Sequence, residues 1–236
     1  MSSPSALFPS GNQPNGENIV ATLTVTALRE SPRTPGRYVV TLSDGQSLVV
    51  GVNALADTGA TRVGASLDRE AVALLMREAA VSDLFARAIG MLARGRRTRR
   101  ELELRLRRRE PDLVLVTAAL ERLDATGLIS DQEVARAEAS SRLRRGEAPA
   151  RVRQTLRSKG IAGRDAAQAV ADAVSDDAFD ELSACRAAVA KRMRSQSSLQ
   201  PTVARRRLIA FLQRRGFSGS VLRTAIDEYF KSSPDP

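Results

Sequence analysis

Histidine and tryptophan are absent from this 236-residue chain, and cysteine occurs once, at Cys185. Without histidine, the commonest protein general base and the commonest metal ligand are gone. One cysteine builds neither a disulfide framework nor a zinc cluster. Cys185 falls on an apolar helical face beside Leu182 and Val189 and reads as a small core residue, not a nucleophile. A free thiol fits a reducing cytosol, and a cytoplasmic protein is expected. Aromatics amount to six Phe and two Tyr, which supports a base-stacking platform for single strands poorly. No apolar run approaches the ~18 residues of a membrane span, so no membrane partner is expected. Neither a GxxxxGKS/T nor a GxGxxG phosphate-cradling fingerprint occurs. The one acidic cluster, Asp176, Asp177, Asp180 and Glu181, reads as a helix start favoured by the helix dipole and not as a catalytic pair. No active site assembles from these residues: the expectation is a non-enzyme with no catalytic residue, no cofactor and no metal.

What is present is arginine. Of 37 basic residues only Lys159, Lys191 and Lys231 are lysines. Arginine's planar fork suits phosphate and carboxylate pairing, although a genome-wide codon bias would give the same excess. The charge is uneven. Residues 1–83 hold six basic and eight acidic groups, whereas the remainder holds 31 and 19, an electrostatic footprint confined to the C-terminal part. The densest stretch, Arg94 to Arg109, carries nine arginines against Glu101 and Glu103. Leu102 and Leu106 stand four apart and share one helical face. Thr98 and Glu101 have capping-box spacing, and Pro111 closes the other end. The alternation Leu102, Leu104, Leu106 also permits a strand, but Arg, Glu and Leu are good helix formers.

This segment recurs. Shifting the chain by 50 and then 56 residues lays Arg100–Glu110 over Ala150–Gly160 and Arg206–Gly216. Leu106, Leu156 and Leu212 align, as do Arg109, Lys159 and Arg215. Gly160 and Gly216 stand where a helix ends in a left-handed residue; Pro149 and Pro201 open the second and third copies. Apolar-periodic stretches flank each copy. Before it come Phe85, Ala88, Ile89 and Leu92, then Val134, Ala137 and Arg142 beside Leu143, then Leu182, Cys185, Val189 and Met193. After it come Leu113, Val116, Leu120 and Leu123, then Ala166, Val170 and Val174, then Leu222, Ile226 and Tyr229. Each unit is thus three helices, and a period of ~50 residues implies stacked modules that bury their apolar faces on one another.

Ahead of the repeats, Ile19, Ala21, Leu23, Val25 and Ala27 alternate with threonines as a half-buried strand. Tyr38–Leu42 gives a second strand and Ser47–Val52 a third across the Asp44-Gly45 hairpin signal. Asn53 to Gly64 reads as loop or short helix, and Leu67 to Met76 as a linking helix. The fold class is therefore mainly α: an elongated solenoid of three tandem three-helix repeats with a small N-terminal β-meander plus helix. The expected divisions are a disordered tail at 1–18, the β module and linking helix at 19–80, and repeats at 82–129, 130–178 and 179–231. A frayed tail follows at 232–236. The stretch RSQSSLQ at 194–200 reads as a loop inserted into the third repeat.

The repeat also carries a family resemblance. RRTRRELELRLRRR (96–109), ALERLDATGLISDQEVARA (119–137) and RGEAPARVRQTLRSKGI (145–161) together resemble the bacterial regulatory protein RecX, over roughly residues 85 to 230. The N-terminal module is similar to an extension many members carry. This sequence departs at Val134, where the family usually has an aromatic residue, and at the inserted RSQSSLQP. The resemblance implies a negative regulator that binds the RecA–single-stranded DNA filament in its groove and suppresses recombinase, ATPase and coprotease activity. The implied partners are RecA and single-stranded DNA, with double-stranded DNA a further candidate, and a monomer is expected. Candidate contacts in the first repeat are Arg96, Arg97, Arg99, Arg100, Arg105, Arg108 and Arg109. In the second they are Arg144, Arg145, Arg151, Arg153, Arg157 and Lys159, and in the third Arg205, Arg206, Arg214 and Arg215. The alternative is a basic helical nucleic-acid-binding protein acting independently of RecA.

Overall fold

A computed structural model of the chain describes residues 22–32, 34–195 and 200–232. The expected N-terminal tail, residues 233–236 of the expected C-terminal one, the start of the first strand at Ile19 to Ala21, and the heart of the 194–200 insertion lie outside them; Ser232, expected in the tail, ends the last helix. The chain divides into two compact units between Ser82 and Asp83.

In the first unit β1 (Leu23–Glu30), β2 (Arg37–Leu42) and β3 (Ser47–Gly51) form the expected antiparallel meander. The β2–β3 turn is closed by left-handed Gly45 and by the Asp44 carboxylate, which accepts from the Gln46 amide. A short helix α1 (Val52–Thr58) follows, ending on left-handed Gly59. The sheet then gains a fourth strand, β4 (Ser66–Leu67), paired to the free edge of β1, so the order is β3-β2-β1-β4. Leu67, expected to open the linking helix, instead belongs to this strand. Val25, Val40, Leu42, Val50, Leu55, Leu67 and Leu75 make the core, which supplies the helix cover that a small sheet needs.

The linking helix is longer than the sequence pattern suggests. Helix α2 runs Arg69–Leu92, so the stretches read as a linker and as the first helix of repeat 1 are one element. Ser82-Asp83 looks like a cap, yet no proline or glycine interrupts the chain from Arg69 to Ile89, and a helix continues where nothing stops it.

The second unit is helical throughout. The end of α2 is followed by α3 (Arg99–Leu106) and α4 (Leu113–Ala125). Then come α5 (Asp131–Arg144), α6 (Pro149–Ser158) and α7 (Gly163–Asp176), and finally α8 (Glu181–Arg194), α9 (Pro201–Arg214) and α10 (Gly219–Ser232). Each triplet buries its own apolar set: Leu102, Leu106, Val116, Leu120 and Leu123 in the first, Leu143, Val152, Leu156, Ile161 and Val170 in the second, Val189, Leu208, Leu212, Phe217 and Ile226 in the third. Two details of the expected faces shift by a residue or so. In α5, Ala135 and Ala139 are buried rather than Ala137, and Leu113 at the start of α4 is exposed.

Candidate functional site

The middle helices α3, α6 and α9 carry the arginine-rich segments, and their ends meet. Thr98 caps α3: its hydroxyl accepts from the Glu101 amide while the Glu101 carboxylate accepts from the Thr98 amide, a reciprocal capping box. The same hydroxyl donates to the Lys159 carbonyl at the far end of α6, 2.7 Å away. One unit further on, the geometry returns. Ala148 caps α6, and its amide donates to the Arg215 carbonyl at the end of α9, 3.1 Å away. In both cases the basic C-cap residue is followed by a left-handed glycine, Gly160 at φ 90° and Gly216 at φ 91°. The amides of Gly160 and Ile161 bond to Arg157 and Leu156, and those of Gly216 and Phe217 to Gln213 and Leu212, the Schellman pattern. These glycines also admit the neighbouring helix. A Cβ on Gly160 would stand 2.5 Å from the Arg100 Cβ; one on Gly216 would stand 2.5 Å from the Arg151 Cβ and 2.8 Å from its backbone nitrogen.

The candidate arginines fall into two classes. One class is engaged within the chain. Arg99 pairs with Asp124 while its amide donates to Asp131. Arg105 donates to the Glu101 carbonyl, and Arg144 to Asp177 and Ser140. Arg205 reaches Asp227 at 2.7 Å and lies over Phe230. Arg215 donates to the Arg145 carbonyl at 2.8 Å and stacks on Phe211. Arg145 donates to the Ser141 carbonyl and Arg151 to Gln154. Arg153 lies close enough to Glu181 for its charge to act on that carboxyl, which burial pushes upward and Arg153 pulls back. Lys159 is half-buried, with its ammonium 3.4 Å from Glu138 and 3.8 Å from Glu101, so it is occupied between α3, α5 and α6. The other class has no carboxylate or hydrogen-bond partner among the described residues: Arg96, Arg100, Arg108, Arg109, Arg157, Arg206 and Arg214, all exposed. Arg97 is half-buried, and its Nε is enclosed without a partner.

Sequence reasoning named Arg142 only as a neighbour of Leu143 on a periodic stretch; the structure makes it the centre of an ion-pair cluster at the end of α5. Its guanidinium donates to Glu138 at 2.7 Å and to both oxygens of Glu147 at 3.0 Å. Burial raises the Glu138 carboxyl, but the bond from Arg142 and the charges of Lys159 and Arg142 outweigh it and hold the group below its ordinary value. The four-residue spacing of Glu138 and Arg142 was the available signal. The acidic cluster does open a helix at one end: Asp180 caps α8 by accepting from Leu182 and Ser183. Asp177, by contrast, is taken by Ser140 and Arg144. Burial lifts the Cys185 thiol to about 11, which keeps it protonated and inert at neutral pH. Among the described residues no group of three or more acidic or cysteine side chains gathers as a metal site, and no helix is long and apolar enough to cross a membrane.

The chain is similar in sequence and fold to known proteins. The model of the RecX second three-helix domain matches residues 130–170, and that of the third three-helix domain matches residues 180–226. A "Regulatory protein RecX" from Halorhodospira halophila is 37% identical over 139 residues, which cover 58% of this chain and 83% of that protein. The chain belongs to the RecX family. Another RecX, from Deinococcus radiodurans, is 38% identical over 163 residues, 67% of this chain and 72% of its own length. A crystal structure of a regulatory protein RecX superposes with a TM-score of 0.67 at 21% identity, covering 87% of this chain and 99% of that one. That last likeness bears on the fold alone. Within RecX terms, α5–α7 and α8–α10 are the second and third three-helix domains, and the Lys159 and Arg215 carbonyls mark where successive domains are tied.

Proposed function

We propose that this RecX-family protein is a negative regulator of RecA that binds the RecA–single-stranded DNA filament in its groove and suppresses recombinase, ATPase and coprotease activity. The observation that carries the reading is the recurrence, on or just after the middle helix of each triplet, of exposed arginines without a partner among the described residues: Arg100 on α3 and Arg108 in the turn after it, then Arg157 on α6, then Arg206 and Arg214 on α9. Guanidinium forks at repeating intervals suit a polyanion or an acidic groove, because they grip phosphates and carboxylates bidentately. They act by contact and steering; no catalytic residue is assigned. Contact is expected from Arg96, Arg100, Arg108, Arg109, Arg145, Arg151, Arg157, Arg206 and Arg214, with the internally paired Arg99, Arg105, Arg144 and Lys159 holding the scaffold.

The test is RecA ATPase on single-stranded DNA with the protein titrated in, beside co-sedimentation with RecA filaments, RecA alone and DNA alone. Inhibition at about one protein per several protomers, with preferential pelleting on filaments, is expected. Absence of inhibition overturns the reading. Equal binding to bare DNA and filament, with the same salt slope, would instead favour a nucleic-acid-binding protein that acts without RecA.

A further inference from the structure

We infer that the junction between the second and third units holds a phosphate oxyanion site built by Arg151, Arg214 and Arg215. A cavity of about 240 Å³ opens there, lined by these three with Arg142 and Glu147. Arg142 and Glu147 neutralise one another through paired 3.0 Å bonds. Among the described residues the other three guanidinium groups pair with no carboxylate: Arg151 donates to the Gln154 amide oxygen at 3.1 Å, Arg215 to the Arg145 carbonyl, and Arg214 is exposed without a partner.

The preceding junction makes this excess of positive charge informative. Counting from the caps, Glu101 and Arg151 are both the third residue of their helix, and Lys159 and Arg215 are both the C-cap of the next. At the first junction these places hold an acid and a base, 3.8 Å apart. At the second both are bases lining one cavity. Two guanidinium groups held together repel unless an anion lies between them. The root of Arg151 lies against Gly216 and its guanidinium bonds to Gln154, while Arg215 is held by the Arg145 carbonyl and by the face of Phe211 at 5.6 Å. Binding therefore costs little ordering.

The shape of the donor set selects the ligand class. A carboxylate presents two oxygens in one plane and is matched by a single fork. Forks arriving from the start of α6 and the end of α9 suit the divergent oxygens of a tetrahedral phosphate. Among the described residues no aromatic ring lines the cavity, and nearby Phe211 lies under Arg192 and Arg215, so the backbone of a nucleic acid, not its bases, is the source. That source rests on the proposed function; the anion site itself does not.

The test uses the full-length protein. Fluorescein-labelled oligothymidylate is titrated by anisotropy across a salt series, pyrophosphate by phosphorus-31 line broadening, and a labelled oligoglutamate as the carboxylate arm. The variants are Arg214→Gln, whose side chain makes no bond that the fold needs, and Arg151→Gln/Arg214→Gln; Arg223→Gln, exposed elsewhere on α10, is the control. For oligothymidylate the double variant should bind about tenfold or more weakly near 50 mM salt, and the salt slope should fall by about 0.7 for each phosphate that is no longer neutralised. Pyrophosphate broadening should vanish in the double variant and persist in Arg223→Gln. Pyrophosphate binding that depends on these arginines, with no oligothymidylate binding by the parent, would uphold the site and remove nucleic acid as its source. Unchanged binding in both phosphate arms, or a weakening confined to oligoglutamate, overturns the proposal.

Discussion

The junction of the first and second three-helix units and the junction of the second and third share a backbone but not a chemistry. At both, the residue capping one middle helix bonds to the carbonyl at the end of the next, and a left-handed glycine lets the two chains touch. The first does this with side chains, the Thr98 hydroxyl and the Glu101–Lys159 pair. The second uses the Ala148 amide and leaves Arg151 and Arg215 without acids. What is held constant is thus the close approach and one bond to a carbonyl. Charge is free to vary, and the two junctions use that freedom differently: one closes an ion pair, the other keeps an opening for an anion.

The comparison breaks most easily at the glycines. Gly216→Ala should destabilise most, by about 3 kcal/mol, because left-handed backbone costs a side chain roughly 1–2 kcal/mol and the new methyl meets the backbone nitrogen of Arg151, which cannot swing aside. Gly160→Ala should cost about 2 kcal/mol, since it meets the Cβ, Cγ and Cδ of Arg100, of which Cγ and Cδ can rotate away, and no backbone atom. Urea unfolding of both variants checks the order; a larger loss at Gly160 would mean that the second junction is the looser one. Thr98→Ala puts alanine at the cap of the first junction, as at the second, but supplies no amide bond to the carbonyl in its place. It leaves the Glu101 amide and the Lys159 carbonyl without their partner in a fully buried position, and a loss of about 1–2 kcal/mol is expected. A neutral Thr98→Ala would show that the hydroxyl is dispensable where the backbone already approaches.

How much of this was readable beforehand follows from sequence separation. Thr98 and Glu101 are three apart, so the capping box was legible, as were the Leu102–Leu106 spacing and the helix-ending glycines. The second role of those glycines was not, because it depends on a chain some 61 residues away reaching the same point. Lys159 read as part of a basic surface, and only the fold brings Glu101 and Glu138 to its ammonium. The fourth strand escaped because two residues, Ser66 and Leu67, carry no alternation to detect. The continuity of α2 escaped because the apolar stretches around Leu67–Met76 and Phe85–Leu92 read as two separate periodic segments, although no proline or glycine stands between them. Arginine density told where the charge lies but not which guanidinium groups the chain itself would occupy.

The remaining predictions are smaller. Ala178 occupies the left-handed place after α7, at φ 46°, that glycine holds after the other helix ends named above. Its amide and that of Phe179 complete the same end pattern, bonding to Ser175 and Val174. Since the backbone already adopts the shape glycine prefers, Ala178→Gly should stabilise the protein by about 0.5–1 kcal/mol. A loss of stability on thermal unfolding would mean that the methyl packs usefully, outweighing its strain.

The smallest effect concerns pH and belongs mainly to the first junction. Glu138 is held below its ordinary value by Arg142 and Lys159 against the opposing effect of burial. A carboxylate depressed in the folded state contributes stability that is complete above its unfolded value near 4.5 and is lost as pH falls through the lower folded value. Lys159→Gln removes one of the two cations responsible, so the parent should exceed the variant in stability by some tenths of a kcal/mol up to about 1 kcal/mol at neutral pH. That gap should stay flat from about pH 8 to 6 and shrink below about 4.5. Arg215 at the second junction pairs with no carboxylate among the described residues, since Glu147 in the same cavity is held by Arg142, so the gap between Arg215→Gln and the parent should narrow much less over the same acid range. A gap that narrows equally for both would place the acid sensitivity outside the Glu138 cluster and erase the chemical distinction between the junctions.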